Sequence, residues 1–570
     1  MNSTNSLLKD ARAHHQAGRL DDAESLYRQL LAVAPDCAEA HIDLALALLS
    51  RGRADEALTH CRQGIALAPG RAEGHYQLGD ILAFQNKLSE AEAPYRRAIA
   101  ARPDFAEAHN NLGNVLLHLR RREEAIAAYN QALAVRPDIA EAHNNLGTIW
   151  LEKNDLERAR MAFGRAIAIA PDYAEAHNSL GHVLLRQNQP EVAAETFRRA
   201  ITAKPDDAAS HNNLGVALAQ LGRFADAAEA CRHAIALRPT YLEAHRNLGK
   251  CLVQAGLHQE AEDCFRETLR LAPNYPDGHR HLAMLLEEVG RLDEALIHFN
   301  RHAVLVFGPG SRARAPSQNP PHKQRHDREQ QAWLEGRAAP FRIGDGARID
   351  GPAVNPANRV AEINAAWRDA RPQIAVIDDL LTAPALEKLR RFCLESTIWR
   401  ESYDNGYLGA LPEHGFAPPL LVQIAEELRA LYPAIIQDYP LLQFWAFKYD
   451  SDLTGINVHA DFAAVNVNFW ITPDDANLDP EHGGLVVWNA AAPVDWNFAR
   501  YNSAEADIRA FLAKSEAQPL TVPYRANRAV IFDSDLFHET DTITFKPGYE
   551  NRRINITLLF GRRQHARSAD

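Results

Sequence analysis

The chain has 570 residues and a formal net charge of −12, and its composition is 46% hydrophobic and 24% charged. This length exceeds what one hydrophobic core usually serves, so we expect several domains. The acidic balance argues against nucleic acid or a membrane surface as the main partner. No secretory signal, membrane-spanning run or CxxC motif is visible, so we expect a cytoplasmic protein whose six cysteines stay reduced.

The first half of the chain repeats one unit of 34 residues. Prolines recur at this interval from Pro35 to Pro273, and histidines recur in phase with them from His41 to His279. A fixed period of this length is the signature of stacked helix-turn-helix units. The register predicts nine units over residues 1–307, starting near residues 4, 38, 72, 106, 140, 174, 208, 242 and 276.

One unit, from Ala106 to Pro137, shows the pattern that all units share. Its leucines lie four positions apart on one helix face, and its small residues let two helices approach closely. The pattern-bearing residues are His109, Leu112, Gly113, Leu116, Ala125, Tyr129, Ala132 and Pro137. They resemble the tetratricopeptide repeat. This resemblance implies an all-α superhelix with a concave binding surface.

A polar residue precedes the recurring leucine in eight units. The column consists of Asp43, Gln77, Asn111, Asn145, Ser179, Asn213, Asn247 and His281. Asparagine is a poor helix former, so helix propensity does not explain it. The column is similar to the asparagine ladder in the repeat domain of O-linked N-acetylglucosamine transferases, which implies that it holds a protein or peptide on the concave face. The residues expected in this role are Asn111, Asn145, Ser179, Asn213 and Asn247. The alternative is a solvated inner face that tolerates any polar residue.

The histidine column has a simpler interpretation than metal binding. A metal site needs three or four converging ligands, and one histidine per unit does not supply them. We therefore expect these histidines to pack between helices, with a hydrogen bond to the next repeat.

Residues 308–370 interrupt the repeat and are expected to form a linker. The stretch GPGSRARAPSQNPPHKQRHDREQQ is poor in large apolar residues, which is typical of an extended or poorly ordered connector. Short helices are expected around Gln330–Arg337 and Asn358–Arg368.

From residue 371 to residue 563 the pattern changes to helices followed by short strands, and residues 564–570 form a tail. TAPALEKLRRFCLES and PPLLVQIAEELRALYP are predicted helices. The later strand-like runs are Gln443–Tyr449, Gly455–Trp470, Gly484–Trp488, Pro519–Pro523, Arg528–Phe532 and Arg552–Phe560. This order predicts a β-sandwich or barrel with helical support.

The run that contains INVHADFAAV suggests a metal site. His459 and Asp461 are two positions apart, so on a strand they would point the same way. His538 follows a later strand and turn in AVIFDSDLFHETD. Two histidines and a carboxylate that leave three metal positions open form the facial triad of non-haem Fe(II) oxygenases. His482, in PEHGGL, is a competing third ligand.

A cation on the last predicted strand adds to this pattern. Arg553 shares a strand face with Asn555 and Thr557. A guanidinium buried there needs an anionic partner, and a dicarboxylate ligand would provide one. Arg552 is adjacent, so a register shifted by one residue stays open.

Four segments together resemble the 2-oxoglutarate- and Fe(II)-dependent oxygenases, especially their prolyl-hydroxylase-like branch: FKYDSDLTGINVHAD, EHGGLVVW, ANRAVIFDSDLFHET and NRRINITLLF. The resemblance implies a double-stranded β-helix, or jelly roll, with supporting helices. It also implies Fe(II), 2-oxoglutarate and O2, with ascorbate as a possible addition. The residues implied to bind iron are His459, Asp461 and His538, and those implied to contact 2-oxoglutarate are Arg553, Tyr449 and Asn555.

The two halves together predict a protein or peptide hydroxylase whose solenoid captures its substrate. The alternative is a repeat scaffold or adaptor whose oxygenase-like domain is inactive or acts on a small molecule. A glycosyltransferase is disfavoured because the C-terminal part lacks the length and the βαβ periodicity for two nucleotide-binding lobes.

Overall fold

A computed structural model describes residues 2–309, 319–334, 341–403, 405–436, 439–450, 452–453 and 456–563. Its contacts divide the chain into two compact units, Met1–Asn247 and Leu248–Asp570. No helix within these ranges is long and apolar enough to cross a membrane. No disulfide joins any of the six cysteines.

The N-terminal half is a series of paired helices. The first helix of each pair starts within two residues of the predicted register. The bounds are α1 Asn2–Gln16, α2 Leu20–Val33, α3 Ala38–Ser50, α4 Ala54–Leu67, α5 Ala72–Phe84, α6 Leu88–Ala101, α7 Ala106–His118, α8 Arg122–Val135, α9 Ala140–Glu152, α10 Leu156–Ile169, α11 Ala174–Arg186, α12 Pro190–Ala203, α13 Ala208–Gln220, α14 Phe224–Leu237, α15 Leu242–Gln254, α16 His258–Leu271, α17 Pro276–Glu288 and α18 Leu292–Phe307.

A glycine and an aromatic ring hold the two helices of a pair together. In the pair α7–α8, a Cβ built on Gly113 would lie 2.6 Å from Cε1 of Tyr129, whose side chain is completely buried. Gly147 has the same relation to Phe163 in the pair α9–α10. The recurring glycine is therefore required by the close approach of a ring and not by backbone conformation.

The histidine column caps the turns between pairs. Nε2 of each of the eight histidines lies 2.8–3.1 Å from the carbonyl oxygen of the proline six residues earlier. Carbonyls just beyond a helix end lack an amide partner within the helix, so an imidazole N–H satisfies them. The expected structural role is confirmed, but the partner is the turn before the same helix and not the next repeat.

The linker contains more structure than its composition predicts. Helix α20 spans Val360–Asp369, where a helix is expected around Asn358–Arg368. Helix α19 spans Pro321–Trp333 and begins nine residues before the helix expected around Gln330–Arg337. The α19 side chains of His326 and Gln330 are buried, and Gln330 Nε2 donates to Tyr549 Oη at 2.8 Å. The first linker helix therefore covers residues 321–329, which were expected to be extended. Its buried face is polar, so the low hydropathy of this stretch does not indicate that it packs. Residues 310–318 and 335–340 lie outside the described residues.

The C-terminal part is rich in antiparallel strands. Its remaining helices are α21 Ala383–Glu395, α22 Pro419–Leu431, α23 Phe498–Ser503 and α24 Glu505–Lys514. Its strands are β1 Ile374–Ile377, β2 Glu401–Ser402, β3 Leu408–Ala410, β4 Leu441–Lys448, β5 Asp452–Leu453, β6 Ala463–Trp470, β7 Leu485–Ala491, β8 Pro519–Val522, β9 Ala529–Asp533, β10 Leu536–Thr540, β11 Ile543–Thr544 and β12 Ile554–Arg562.

These strands form one large and one small sheet, with a further short pair. The large sheet has the order β1-β9-β6-β12-β4-β3-β2, the small sheet has the order β10-β7-β8, and β11 pairs with β5. A buried cluster joins the two main sheets, since it contains Trp470 and Phe532 from the large sheet and Leu485 and Val487 from the small one. The sheets therefore pack face to face around an apolar interior.

The division by contacts differs from the domain boundary expected at residue 307. Helix α18 lies in the same compact unit as the strands. Asn300 Nδ2 donates to the carbonyl oxygen of Ala417 at 3.4 Å, and Asp293 pairs with Arg348 at 2.9 Å. The last helical pair is therefore packed as part of the C-terminal unit.

Candidate metal centre

His459, Asp461 and His538 converge in the C-terminal unit. One ligand atom from each lies within 4.8 Å of the others, and the described part of the chain holds no second cluster of this kind. Asp461 Oδ2 is 3.4 Å from His538 Nε2, and Asp461 Oδ1 is 3.9 Å from His459 Nε2. The three residues expected from the sequence to bind metal are thus brought together.

The backbone brings these ligands together in a way that the sequence did not indicate. Strand β6 begins only at Ala463, so His459 and Asp461 precede it and do not share a strand face. His459 and His538 instead form an isolated antiparallel bridge, in which each amide donates to the other's carbonyl at 2.9 and 2.8 Å. The Asp461 amide donates to the carbonyl of Ser534 at 3.2 Å. The predicted start of this strand, Gly455, lies outside the described residues.

Both imidazoles are held in the tautomer that a metal needs. His459 Nδ1 lies 2.8 Å from the carbonyl oxygen of Asn457, and His538 Nδ1 lies 3.1 Å from that of Leu536. A carbonyl only accepts, so each Nδ1 carries the proton and each Nε2 presents a lone pair. Both lone pairs lie on the side of the Asp461 carboxylate, an arrangement of acceptors that suits a cation.

The electrostatics of the site favour a neutral His459 and an ionised Asp461. Burial, together with the nearby His538, lowers the pKa of His459 to about 4. Burial acts to raise the pKa of Asp461, but His538, His459 and a hydrogen bond from Asn466 outweigh it and lower that pKa. A neutral imidazole beside an ionised carboxylate is the combination that binds a divalent metal.

Arg553 and Arg552 have different environments. Arg553 is 1% exposed; its Nε donates to the Gly483 carbonyl at 2.7 Å and its Nη2 to the Gly484 carbonyl at 3.0 Å. Its Nη1 has no acceptor, and no ion pair to a carboxylate is found for it among the described residues. Arg552 instead pairs with Glu329 at 2.7 Å. Arg553 is thus the arginine with donor capacity left for an anion.

The two other expected cosubstrate contacts differ from each other. The Arg553 guanidinium carbon lies 4.7 Å from the centre of the Tyr449 ring, so these two residues are neighbours. Asn555 Nδ2 donates to Asn468 Oδ1 at 2.9 Å and to Thr557 Oγ1 at 3.1 Å. The amide nitrogen of Asn555 is therefore engaged by the protein.

His482 is separate from the cluster. It lies on the surface, and its Nδ1 is 3.1 Å from Asp541 Oδ2. Hydrogen bonding and the charge of Asp541 raise its pKa, which favours the imidazolium and opposes metal binding.

Sequence reasoning missed the role of the Gly-Gly step beside His482. A Cβ on Gly484 would lie 1.9 Å from the carbonyl oxygen of Val522, and Gly483 has a positive φ of 85°. Only glycine permits this path, which directs both carbonyls at Arg553. The Gly-Gly step is visible in the sequence EHGGL, but the sequence does not indicate that its carbonyls meet Arg553.

The donor set fits Fe(II) and a dicarboxylate. Two neutral imidazoles and one carboxylate are the ligands of a facial triad. Phe532 lies 4.8 Å from His538 between ring centres, and Trp470 lies 5.5 Å from the Arg553 guanidinium. Both aromatic residues belong to the same buried cluster between the sheets, so the triad and Arg553 border one interior.

The polar column of the helical repeats links neighbouring repeats. Its amide nitrogens make contacts one repeat back, namely Asn111 with Asp80 at 3.0 Å, Asn145 with Asn114 at 2.8 Å, Asn213 with His182 at 3.1 Å and Asn247 with Asn212 at 2.9 Å. Ser179 is half-buried. Asn111 Nδ2 also donates to Tyr76 Oη at 3.0 Å, so both of its hydrogens are engaged by the protein. A role of this column in binding a peptide stays a prediction.

Known proteins resemble the helical half of the chain. Tetratricopeptide repeat models match residues 8–72, 76–133, 119–174 and 178–241, and a further one matches residues 218–285. No curated protein matches the chain. Similar solved structures include YrrB, a TPR protein with an unusual peptide-binding site, at 22% identity over 32% of this chain and 95% of that chain with a TM-score of 0.30. PilF of Pseudomonas aeruginosa aligns at 22% identity over 36% of this chain and 94% of that chain, with a TM-score of 0.34. The APC/C hetero-tetramer Cut9–Hcn1 aligns at 19% identity over 49% of this chain and 55% of that chain, with a TM-score of 0.37. Residues 8–285 are therefore tetratricopeptide repeats.

Proposed function

We propose that this protein is a 2-oxoglutarate- and Fe(II)-dependent dioxygenase that hydroxylates a protein or peptide captured by its repeats. The observation that carries the proposal is the convergence of His459, Asp461 and His538 at an interior that also holds the buried Arg553, whose Nη1 has no acceptor. Two antiparallel sheets packed face to face support a jelly-roll assignment for the C-terminal part.

The residues of the chain bind and orient in this proposal. His459, His538 and Asp461 would hold the metal on one face and leave its other positions open. Arg553 would donate Nη1 to a carboxylate of the cosubstrate, and a charge-assisted hydrogen bond in a buried place is strong. When bound, Fe(II) and 2-oxoglutarate supply the oxidation, in which 2-oxoglutarate, O2 and a substrate C–H bond give succinate, CO2 and a C–OH bond.

The surroundings favour a dry site. Tyr449, Trp470 and Phe532 are almost completely buried in the cluster that borders the triad and Arg553. Excluding water strengthens the electrostatic contacts of the guanidinium and prevents side reactions of a reactive centre.

The repeats support a protein or peptide as the substrate. Solenoids of stacked repeats present extended concave surfaces for binding. Capture by one part of a chain raises the effective concentration of a weak substrate at another part. The polar column of Asn111, Asn145, Ser179, Asn213 and Asn247 would supply the amide contacts.

A second function is a repeat scaffold whose C-terminal domain is inactive or acts on a small molecule. The repeats over residues 8–285 favour a protein-interaction role on their own. A scaffold would bind its partners equally well after His459→Ala and His538→Ala.

The first test is an anaerobic titration of the full chain with Fe(II) and 2-oxoglutarate. We expect the weak visible charge-transfer band of the chelate, and we expect it to require both additions. Asp461→Ala should abolish the band while the thermal unfolding of the protein remains cooperative. A folded wild-type protein that gives no band would refute the dioxygenase and leave the scaffold.

A further inference from the structure

Four buried polar side chains lie on two neighbouring strands of the large sheet. They are Asn466 and Asn468 on β6, and Asn555 and Thr557 on β12. Their exposed fractions are 0, 4, 7 and 3%, respectively. We call this set the amide relay. Buried polar groups cost free energy unless they are paired, so their presence calls for a physical reason.

The relay is one continuous run of hydrogen bonds that ends at a candidate metal ligand. Asn555 Nδ2 and Thr557 Oγ1 donate to Asn468 Oδ1 at 2.9 and 2.6 Å. Asn468 Nδ2 donates to Asn466 Oδ1 at 2.6 Å. Asn466 Nδ2 donates to Asp461 Oδ2 at 2.5 Å. In each of these hydrogen bonds, the donor belongs to the residue farther from Asp461 along the relay, and the acceptor belongs to the residue nearer to it.

The strand pairing explains why these residues meet. β6 and β12 are neighbours, with Thr557 opposite Asn468. Residues two apart on a strand share a face, which places Asn466 with Asn468 and Asn555 with Thr557. The relay thus follows from the register of two rigid strands, and it does not depend on a loop.

The carboxylate determines the direction of the whole relay. An ionised Asp461 only accepts, so Asn466 must present Nδ2 to it and Oδ1 to Asn468. The same requirement then passes to Asn468. Rotating any one amide by half a turn would set two acceptors, or two donors, against each other. A fully satisfied buried network of this kind is rigid.

We propose that the amide relay positions Asp461 for metal binding. Asn466 fixes the rotamer of the carboxylate and occupies Oδ2, which leaves Oδ1 for the metal. Asn468, Asn555 and Thr557 act through Asn466 as positioning residues. This inference rests on the proposed function, because it presupposes that the triad holds a metal. Partners that orient a ligating carboxylate are typically worth about 10–100-fold in metal affinity.

The probe is Co²⁺ titrated into the full chain, followed by its visible d–d absorption. We expect Asn466→Ala to weaken Co²⁺ binding by about 10–100-fold and to change the shape of the absorption band, because the carboxylate is no longer held. Thr557→Val, which keeps the Asn466 bond, should weaken binding by about threefold or more through loss of one hydrogen bond in the relay.

Thr472→Val is the matched control. Thr472 is 1% exposed, donates to the Arg552 carbonyl at 2.9 Å and accepts from the Ile554 amide at 3.0 Å, but it is not in the relay. Both threonine variants should lower the melting temperature to a similar extent. Only Thr557→Val should lower the affinity for Co²⁺, since only it changes the relay.

The outcomes separate this inference from the proposed function. A wild-type protein that does not bind Co²⁺ overturns both. A wild-type protein that binds, with unchanged affinity and spectrum in Asn466→Ala, overturns the relay alone. Equal losses of affinity in the two threonine variants would also overturn it, because they would indicate general destabilisation. If Asn466→Ala does not fold, Asn466→Ser replaces it, because serine keeps a shorter donor. Asn466→Ser should show an intermediate affinity for Co²⁺ and an altered absorption band. A wild-type affinity and band in Asn466→Ser would overturn the relay.

Discussion

At the scale of single residues, the partner that each side chain meets decides the role of two adjacent arginines. Arg552 and Arg553 are both almost completely buried, but among the described residues only Arg552 has a carboxylate partner. Burial lowers the pKa of the Arg553 guanidinium, and the nearby Tyr449 and Tyr524 offset this only in part. An anion that binds Arg553 would stabilise its charged form, so the residue is poised for such a ligand.

We predict that Arg553→Gln weakens 2-oxoglutarate binding by about 10–100-fold, the range expected for losing a hydrogen bond to a charged group. Affinity for Co²⁺ alone should not change, because Arg553 is not part of the triad. Titration of 2-oxoglutarate into the Co²⁺-loaded protein measures this.

Arg552→Gln is the matched control for that prediction. It breaks the pair with Glu329, whose side chain is 35% exposed, and should lower stability by about 1.5–3 kcal/mol, the range for a hydrogen bond to a charged group. It should leave 2-oxoglutarate affinity close to that of the wild-type protein. Equal weakening by both variants would show that Arg553 has no special role in binding.

The residue scale also shows how far a motif can be interpreted. HAD and a later FHET predicted three residues that do converge, because ligand types and their order are properties of the sequence. The amide Asn555 was expected to contact the cosubstrate, and the structure places its nitrogen in hydrogen bonds to Asn468 and Thr557. A strand pattern indicates a shared face but does not say which neighbour each amide finds.

At the scale of elements, close packing within a helical pair explains the repeat pattern. Gly113 faces the buried ring of Tyr129, whose Oη donates to Asn114 at 2.7 Å. Gly164 in α10 has no atom within 4 Å of an added Cβ. A larger residue would therefore clash at Gly113, whereas the space around Gly164 would accommodate one.

We predict that Gly113→Ala destabilises the array by about 1–3 kcal/mol, because the added methyl overlaps the Tyr129 ring. Gly164→Ala should stabilise it by about 0.5–1 kcal/mol, since alanine suits a helix interior better than glycine. Urea unfolding followed by circular dichroism compares the two midpoints. A Gly113→Ala midpoint at or above that of the wild-type protein would contradict the packing account.

The boundaries of the helices and strands could be predicted from the sequence only in part. The helix starts followed from period and register, because each pair packs mainly through short-range contacts. The start of β6 was placed too early, since hydrogen bonds to Ser534 and His538 hold residues 459–461 outside the regular ladder. Those partners lie more than 70 residues away along the chain, so local pattern could not indicate them.

At the scale of the whole molecule, the proposed function assigns different tasks to different parts of one chain. The repeats would bind a substrate, and the C-terminal site would oxidise it. The polar column is the feature of the helical repeats that the sequence predicts to bind a peptide. Its amides also link repeats, for example between Asn145 and Asn114, so a test must separate binding from stability.

We predict that replacing Asn111, Asn145 and Asn213 together by alanine weakens turnover of a peptide substrate. Decarboxylation of 2-oxoglutarate without substrate should be unchanged, because the triad and Arg553 are intact. Succinate release measured with and without peptide distinguishes the two activities. Gly113→Ala is the control, since it destabilises the same repeats without altering the column. Similar losses in both variants, or equal loss of the uncoupled reaction, would exclude a docking role.

The sequence by itself determined the repeat period, the helical pairs and the identity of the three candidate ligands, because periodicity and motif order are local properties. Tertiary structure alone decided which arginine is left unpaired, which tautomer each histidine adopts and which direction the amides take. Arg552 meets Glu329 across 223 positions, and Arg553 meets Gly483 across 70. Such contacts depend on how strands and helices pack, and a side chain's protonation and hydrogen bonding follow from the neighbours that this packing supplies.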